Sequence, residues 1–121
     1  MTPKQAKAAI HLRVMLAPGI AIGPGKADLL AGIRDTGSIS AAGRAMRMSY
    51  KRAWQLVEEL NTSFREPLVE ATKGGAGGGG AQLTRAGADV LARYARMCAA
   101  ASDAVATDLA ALRKHLRAKG R

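Results

Sequence analysis

Between Asp35 and Glu58 the chain carries four cations, Arg44, Arg47, Lys51 and Arg52, and no acidic side chain. Guanidinium and ammonium groups gathered on one short stretch suit phosphate oxygens, and on an exposed helix they also reach purine edges in a major groove. Gln55 adds an amide on the same side. Lys51, Arg52 and Gln55 can all donate to a purine, with arginine to guanine the commonest such pairing, and the sequence does not choose among them. A second feature is Lys73 followed by Gly74, Gly75, Ala76, Gly77, Gly78, Gly79 and Gly80. Bare backbone of this kind can come close to phosphates. It lacks the Lys-Ser/Thr ending of a nucleotide-binding loop and joins two strand-like runs, so it reads as a hairpin tip. Such a tip either touches nucleic acid or makes no contact. Other chemistry falls away: His11 and His115 are far apart, Glu58 and Glu59 point about 100° from each other on a helix, and Cys98 reads as a packing residue.

These residues need elements to position them. Ile10, Leu12, Val14 and Leu16 alternate with polar or long side chains, the two-residue period of a strand with one buried face. Ala17, Pro18 and Gly19 interrupt it before Ile20 and Ile22, predicting a hairpin that closes at Gly23, Pro24 and Gly25, where a first helix begins. Leu29, Leu30 and Ile33 share a helical face, and Gly37 supplies a stop. Ser38 can cap a short helix with Ala41, Ala42, Ala45 and Met46 on its apolar side, and Ser49 can cap another only a few residues later. On that helix Ala53, Val57, Leu60 and Phe64 form one stripe, opposite Lys51, Arg52, Gln55, Glu59 and Thr62. Trp54, at the stripe's edge, reads as a half-buried anchor of the core.

Leu68 to Thr72 and Ala81 to Leu83 predict a hairpin around the glycine loop. Thr84 caps a long helix expected to reach about Leu116, roughly 48 Å at 1.5 Å per residue. Its apolar residues Leu91, Tyr94, Cys98, Ala101, Val105, Leu109, Leu112 and Leu116 recur at three and four residues, like a helix-to-helix seam. Lys114, Arg117, Lys119 and Arg121 suit the negative end of that helix.

The chain has 121 residues and a formal net charge of +10, which favours a single domain with polyanionic partners, nucleic acid ahead of an anionic membrane surface. Apolar residues make up 48% and aromatics only 3%, too apolar for a disordered basic tail and dominated by alanine, hence helical. One cysteine forms no internal disulfide or thiolate cage, and no apolar run spans a bilayer or reads as a signal peptide. A cytoplasmic protein without cofactor or metal is expected.

Two short helices joined by a tight turn and followed by a hairpin make a winged helix-turn-helix. The stretch GSISAAGRAMRMSYKRAWQLVEEL from Gly37 to Leu60, with EPLVEATKGGAGGGGAQLTRAG after it, resembles the N-terminal domain of ModE-type molybdate-responsive transcription regulators. The likeness spans roughly residues 10 to 116 and rests on GSISAA, MSYKRAW and the glycine wing with LTRAG. More distantly the segment is similar to the LysR-type reading head. The resemblance implies that Ser49, Tyr50, Lys51 and Arg52 open the reading helix, that Gln55 lies one turn on, and that Ala53 and Trp54 seat it. Ser49 is expected to cap the helix and meet a phosphate. Full-length members append molybdate-binding modules marked by a Ser-Ala-Arg-Asn-Gln type segment, and none occurs in these residues. DNA binding and dimerisation are therefore the expectation, with molybdate binding doubtful on this chain.

The resulting expectation is a mainly α protein with small β hairpins: residues 1–84 a winged helix-turn-helix, residues 85–121 a long dimerisation helix within the same compact unit. Its function would be sequence-specific, non-enzymatic DNA binding as a homodimer on an inverted-repeat operator in double-stranded DNA. The DNA-facing set comprises Ser38, Arg44, Arg47, Ser49, Tyr50, Lys51, Arg52, Gln55, Lys73, Gly75, Gly77 and Gly78, and the seam runs from Leu91 to Leu112. The rivals are a basic adaptor whose long helix docks a separate sensor protein, and a small oxyanion-binding protein.

Overall fold

A computed structural model describes residues 10–73 and 79–118. Eight elements follow in order: β1 (Val14–Ala17), β2 (Ile20–Ile22), α1 (Pro24–Thr36), α2 (Ile39–Ala45), α3 (Tyr50–Ser63), β3 (Val69–Lys73), β4 (Gly79–Leu83) and α4 (Arg85–Arg113). The arrangement is a winged helix-turn-helix with a long C-terminal helix, as its sequence predicts. The first strand is shorter than the alternation from Ile10 implies. β1 pairs antiparallel with β2 in the register Val14↔Ile22, Met15↔Ala21 and Ala17↔Ile20. The irregularity between Met15 and Ala17 leaves Leu16 out of step, and Leu16 is exposed instead of sharing Val14's inward side.

Local chemistry sets the helix ends. Pro24, with its φ fixed near the helical value, opens α1 behind Gly23. Gly37 closes α1 at φ 73°, a left-handed conformation that glycine adopts without a Cβ clash, and its N–H donates to the Ile33 carbonyl at 2.8 Å. Ser38 Oγ accepts from Ala41 N and Ser49 Oγ accepts from Arg52 N, each at 3.0 Å, so both serines cap as their positions predict. In α2 the inward side is Ile39, Ala42 and Gly43, whereas Ala45, expected on it, is exposed. A Cβ at Gly43 would stand 2.9 Å from the Ala53 Cβ, so small residues let α2 and α3 approach closely. Between these helices Arg47 takes φ 59°, the left-handed region, without being glycine.

Backbone hydrogen bonds fasten the wing. β3 and β4 pair antiparallel from Val69↔Leu83 to Lys73↔Gly79, and Ala81 N donates to the Gly37 carbonyl at 2.9 Å. That bond ties β4 to the α1–α2 junction. At the other end Thr84 N donates to the Leu68 carbonyl at 2.9 Å, and Thr84 Oγ1 caps α4 by accepting from Gly87 N at 3.0 Å.

The main core is built by Leu29, Leu30 and Ile33 from α1, Leu56, Val57 and Leu60 from α3, and Leu68 before β3, with small residues of α2 between them. Each fully buried Leu or Ile contributes about 1.5–3 kcal/mol of hydrophobic stabilisation. A second, smaller cluster joins Ile22 and Ala27 to Tyr94 of α4, with Val14, Leu91 and Cys98 against it. Tyr94 OH donates to the Leu12 carbonyl at 2.6 Å, fastening the start of the described chain to α4. Burial holds the Tyr94 phenol above its usual range, helped by a hydrogen bond with Cys98 and by the charges of Cys98 and Asp28.

α4 has 29 residues and spans about 43 Å. It stops at Arg113, short of Leu116. Lys114, His115 and Leu116 donate to carbonyls only three residues back, a tightened last turn, and no core lies beneath them to hold an α-helix. The expected seam divides. Leu91, Tyr94 and Cys98 pack on the chain's own core, whereas Ala101, Val105 and Leu109 are only partly covered and Leu112 is 65% exposed. Lys119 and Arg121 lie outside the described residues.

Candidate nucleic-acid interface

Taking 100° per residue, the buried stripe of α3 centres between Ala53, Leu56, Val57 and Leu60, so Lys51, Gln55, Glu58 and Thr62 point directly away from the core. All four are exposed. Arg52 and Glu59 occupy one flank, Tyr50 and Trp54 the other. Arg44 sits in the last turn of α2 and Arg47 in the connecting turn, both exposed, as are Tyr50, Lys51 and Arg52 in the first turn of α3. Ser38 is partly buried, its N–H bonded to Thr36 Oγ1 at 3.2 Å. Lys73 ends β3 at the root of the wing, and Gly75, Gly77 and Gly78 lie outside the described residues.

Arg52 is partly tied. Its Nη1 donates to Gln55 Oε1 at 3.5 Å and stands 3.9 Å from Glu59 Oε2. Glu59 Oε1 lies 3.6 Å from Lys26 Nζ of α1, which also donates to the Ala21 carbonyl at 3.2 Å. Pairs this exposed are worth at most about 1 kcal/mol, so Arg52 can leave Glu59 for a better acceptor.

Trp54 corrects its expected role. It belongs to neither core, stands 43% exposed, and meets Tyr50, itself 63% exposed, edge to face with ring centroids 6.1 Å apart. The wheel angle is the signal that could have found this: Trp54 falls about 110° from the centre of the stripe. Tyr50, Lys51, Trp54 and Gln55 line an open depression of about 860 Å³ with Glu58 and Glu59.

Asn61 is a positioning residue that the periodicity of α3 did not reveal. Its Oδ1 accepts from Leu68 N at 2.8 Å and Val69 N at 3.0 Å, and its Nδ2 donates to the Val69 carbonyl at 3.0 Å. The amide thus satisfies both backbone groups of Val69 as a neighbouring strand would, and locks the wing to the C-terminal end of α3. Only its polarity beside the apolar stripe could have marked it. Among the described residues no group of three His, Cys, Asp or Glu side chains could hold a metal ion, and no helix is long and apolar enough to cross a membrane.

Residues 27–88, from α1 through the wing to the first turn of α4, match the family described as bacterial regulatory helix-turn-helix protein, lysR family. The chain belongs to that family. This lysR-family chain is also 46% identical over 81 residues to the molybdenum-pterin-binding protein MopB of Rhodobacter capsulatus. It is 41% identical over 88 residues to the transcriptional regulator ModE of Yersinia pestis, and 39% identical over 88 residues to the DNA-binding transcriptional dual regulator ModE of Escherichia coli K12. These alignments cover 67% to 73% of the lysR-family chain but only 30% to 34% of each relative. The chain therefore spans about a third of the length of the curated relatives it matches, and the resemblance to ModE-type regulators holds over that part.

Proposed function

We propose that the chain is a sequence-specific, DNA-binding transcription regulator that acts as a homodimer, with α3 in the major groove and the wing on the adjoining backbone. The observation that carries this reading is the outward side of α3. In a winged helix-turn-helix it presents Lys51, Arg52 and Gln55 from the first two turns, where base edges are met, beside the exposed Arg44 and Arg47. Lys51, Arg52 and Gln55 read base edges. Ser38, Arg44, Arg47, Ser49 and Lys73 hold phosphates, and Tyr50 borders the groove. The relatives include a DNA-binding transcriptional dual regulator and a molybdenum-pterin-binding protein. What the likeness supports here is the reading head.

The partly covered face of α4, Ala101, Val105, Leu109 and Leu112, is the natural seam for a second copy, and a two-fold pair would read an inverted repeat. Salt titration tests the electrostatics. About four phosphate contacts per subunit, eight per dimer, predict that log affinity falls with log salt at a slope near −7. A slope shallower than about −2 would overturn the proposal.

A further inference from the structure

The Tyr50–Trp54 pair lies outside both cores and takes no part in the polar contacts just assigned. Two large rings stand 63% and 43% exposed on one helix, outside both cores, and hold each other edge to face. They lie in the first two turns of α3, on the flank opposite Arg52 and Glu59. Asn61, seven residues or about two turns after Trp54 and so on the same flank, bonds β3. Resting on the DNA-reading function above, we propose that Tyr50 and Trp54 are the apolar half of the sequence code, a contact for thymine methyl groups in the major groove.

The chemistry of the neighbours favours this occupant. An apolar surface in a major groove has one apolar target, the C5-methyl of thymine, whose base pair otherwise offers only donors and acceptors. Gln55, the next residue after Trp54, carries the amide that pairs two-pronged with adenine N6 and N7. Amide and rings together would select A·T pairs at adjacent steps. The rings already limit each other's rotamers, so little side-chain freedom is lost on contact. A protein partner on the same flank would have to displace the DNA, since Lys51 and Gln55 line the same depression.

The test uses the full chain and a duplex that it enriches from a random-sequence pool, with each thymine replaced in turn by deoxyuridine, which lacks only the methyl. Anisotropy titration at fixed salt should show about fourfold weaker binding for each contacted methyl, at one or two positions per half-site. The Trp54→Ala protein should bind the thymine and uracil duplexes equally at those positions. If Trp54→Ala loses helix content by circular dichroism, Tyr50→Ser completes the same comparison. An enriched duplex without a methyl-sensitive thymine refutes the inference alone, as does a variant that keeps the whole fourfold loss. If no sequence is enriched, the DNA-reading function itself fails, and the inference with it.

Discussion

Replacing Asn61 by alanine tests whether the wing and the reading helix are one rigid unit. The substitution removes the acceptor of Leu68 N–H and Val69 N–H and the donor to the Val69 carbonyl, at residues 0% and 4% exposed. Each stranded N–H costs about 1–3 kcal/mol, and water entering the vacated space returns part of that, leaving a loss of about 3 kcal/mol. This is a large fraction of the 5–15 kcal/mol typical of a domain. At a urea sensitivity of about 1.5 kcal/mol per molar, the unfolding midpoint should fall by about 2 M. Asn61→Asp keeps both acceptor bonds but sets a carboxylate oxygen against the Val69 carbonyl, so its loss should be about half as large. Midpoints followed by circular dichroism decide the matter. A fall of under about 0.3 M for Asn61→Ala would refute the claim that this amide joins α3 to the wing.

Two further outcomes follow from α4. Because Tyr94 keeps its proton to higher pH in the fold than the ~10 of a free phenol, its contribution is complete below about pH 10 and declines as pH rises above it. Tyr94→Phe should cost about 1 kcal/mol at neutral pH, from the lost bond to the Leu12 carbonyl, and flatten the alkaline decline; urea midpoints at pH 7 and 10.5 would show an unchanged decline if this is wrong. Leu109→Lys places a charge on the partly covered face of α4 and should convert a sedimenting dimer to monomer while circular dichroism is unchanged. Monomeric sedimentation of the unmodified chain at micromolar concentration would contradict the seam.

The parts legible in the sequence are those fixed by neighbours along the chain. Ser38, Ser49 and Thr84 each cap the helix that follows, Gly37 ends α1, and the stripe Ala53, Val57 and Leu60 faces inward, because capping and periodicity act over three or four residues. What escaped depends on distant partners. Leu16 is turned out by an irregular register with β2, and Ala45 is exposed because α2 presents Gly43 to Ala53 instead. Asn61 serves a strand reached only after the chain has turned, and the size of Trp54 suggests the core although its angle sets it on the flank. The end of α4 depended on where the packed body stops, which periodicity does not record.

Arg47 gives the turn between α2 and α3 an engineering meaning. A side chain with a Cβ in the left-handed region costs about 1–2 kcal/mol relative to a relaxed backbone, and glycine would occupy the same position without that cost. The chain holds a cation there instead, at the corner where the proposed DNA face begins. Stability and charge are thus set in opposition at one residue. A thermostability campaign that scored the fold alone would choose glycine at this corner, and in doing so would remove one of the charges on which the salt dependence of binding rests.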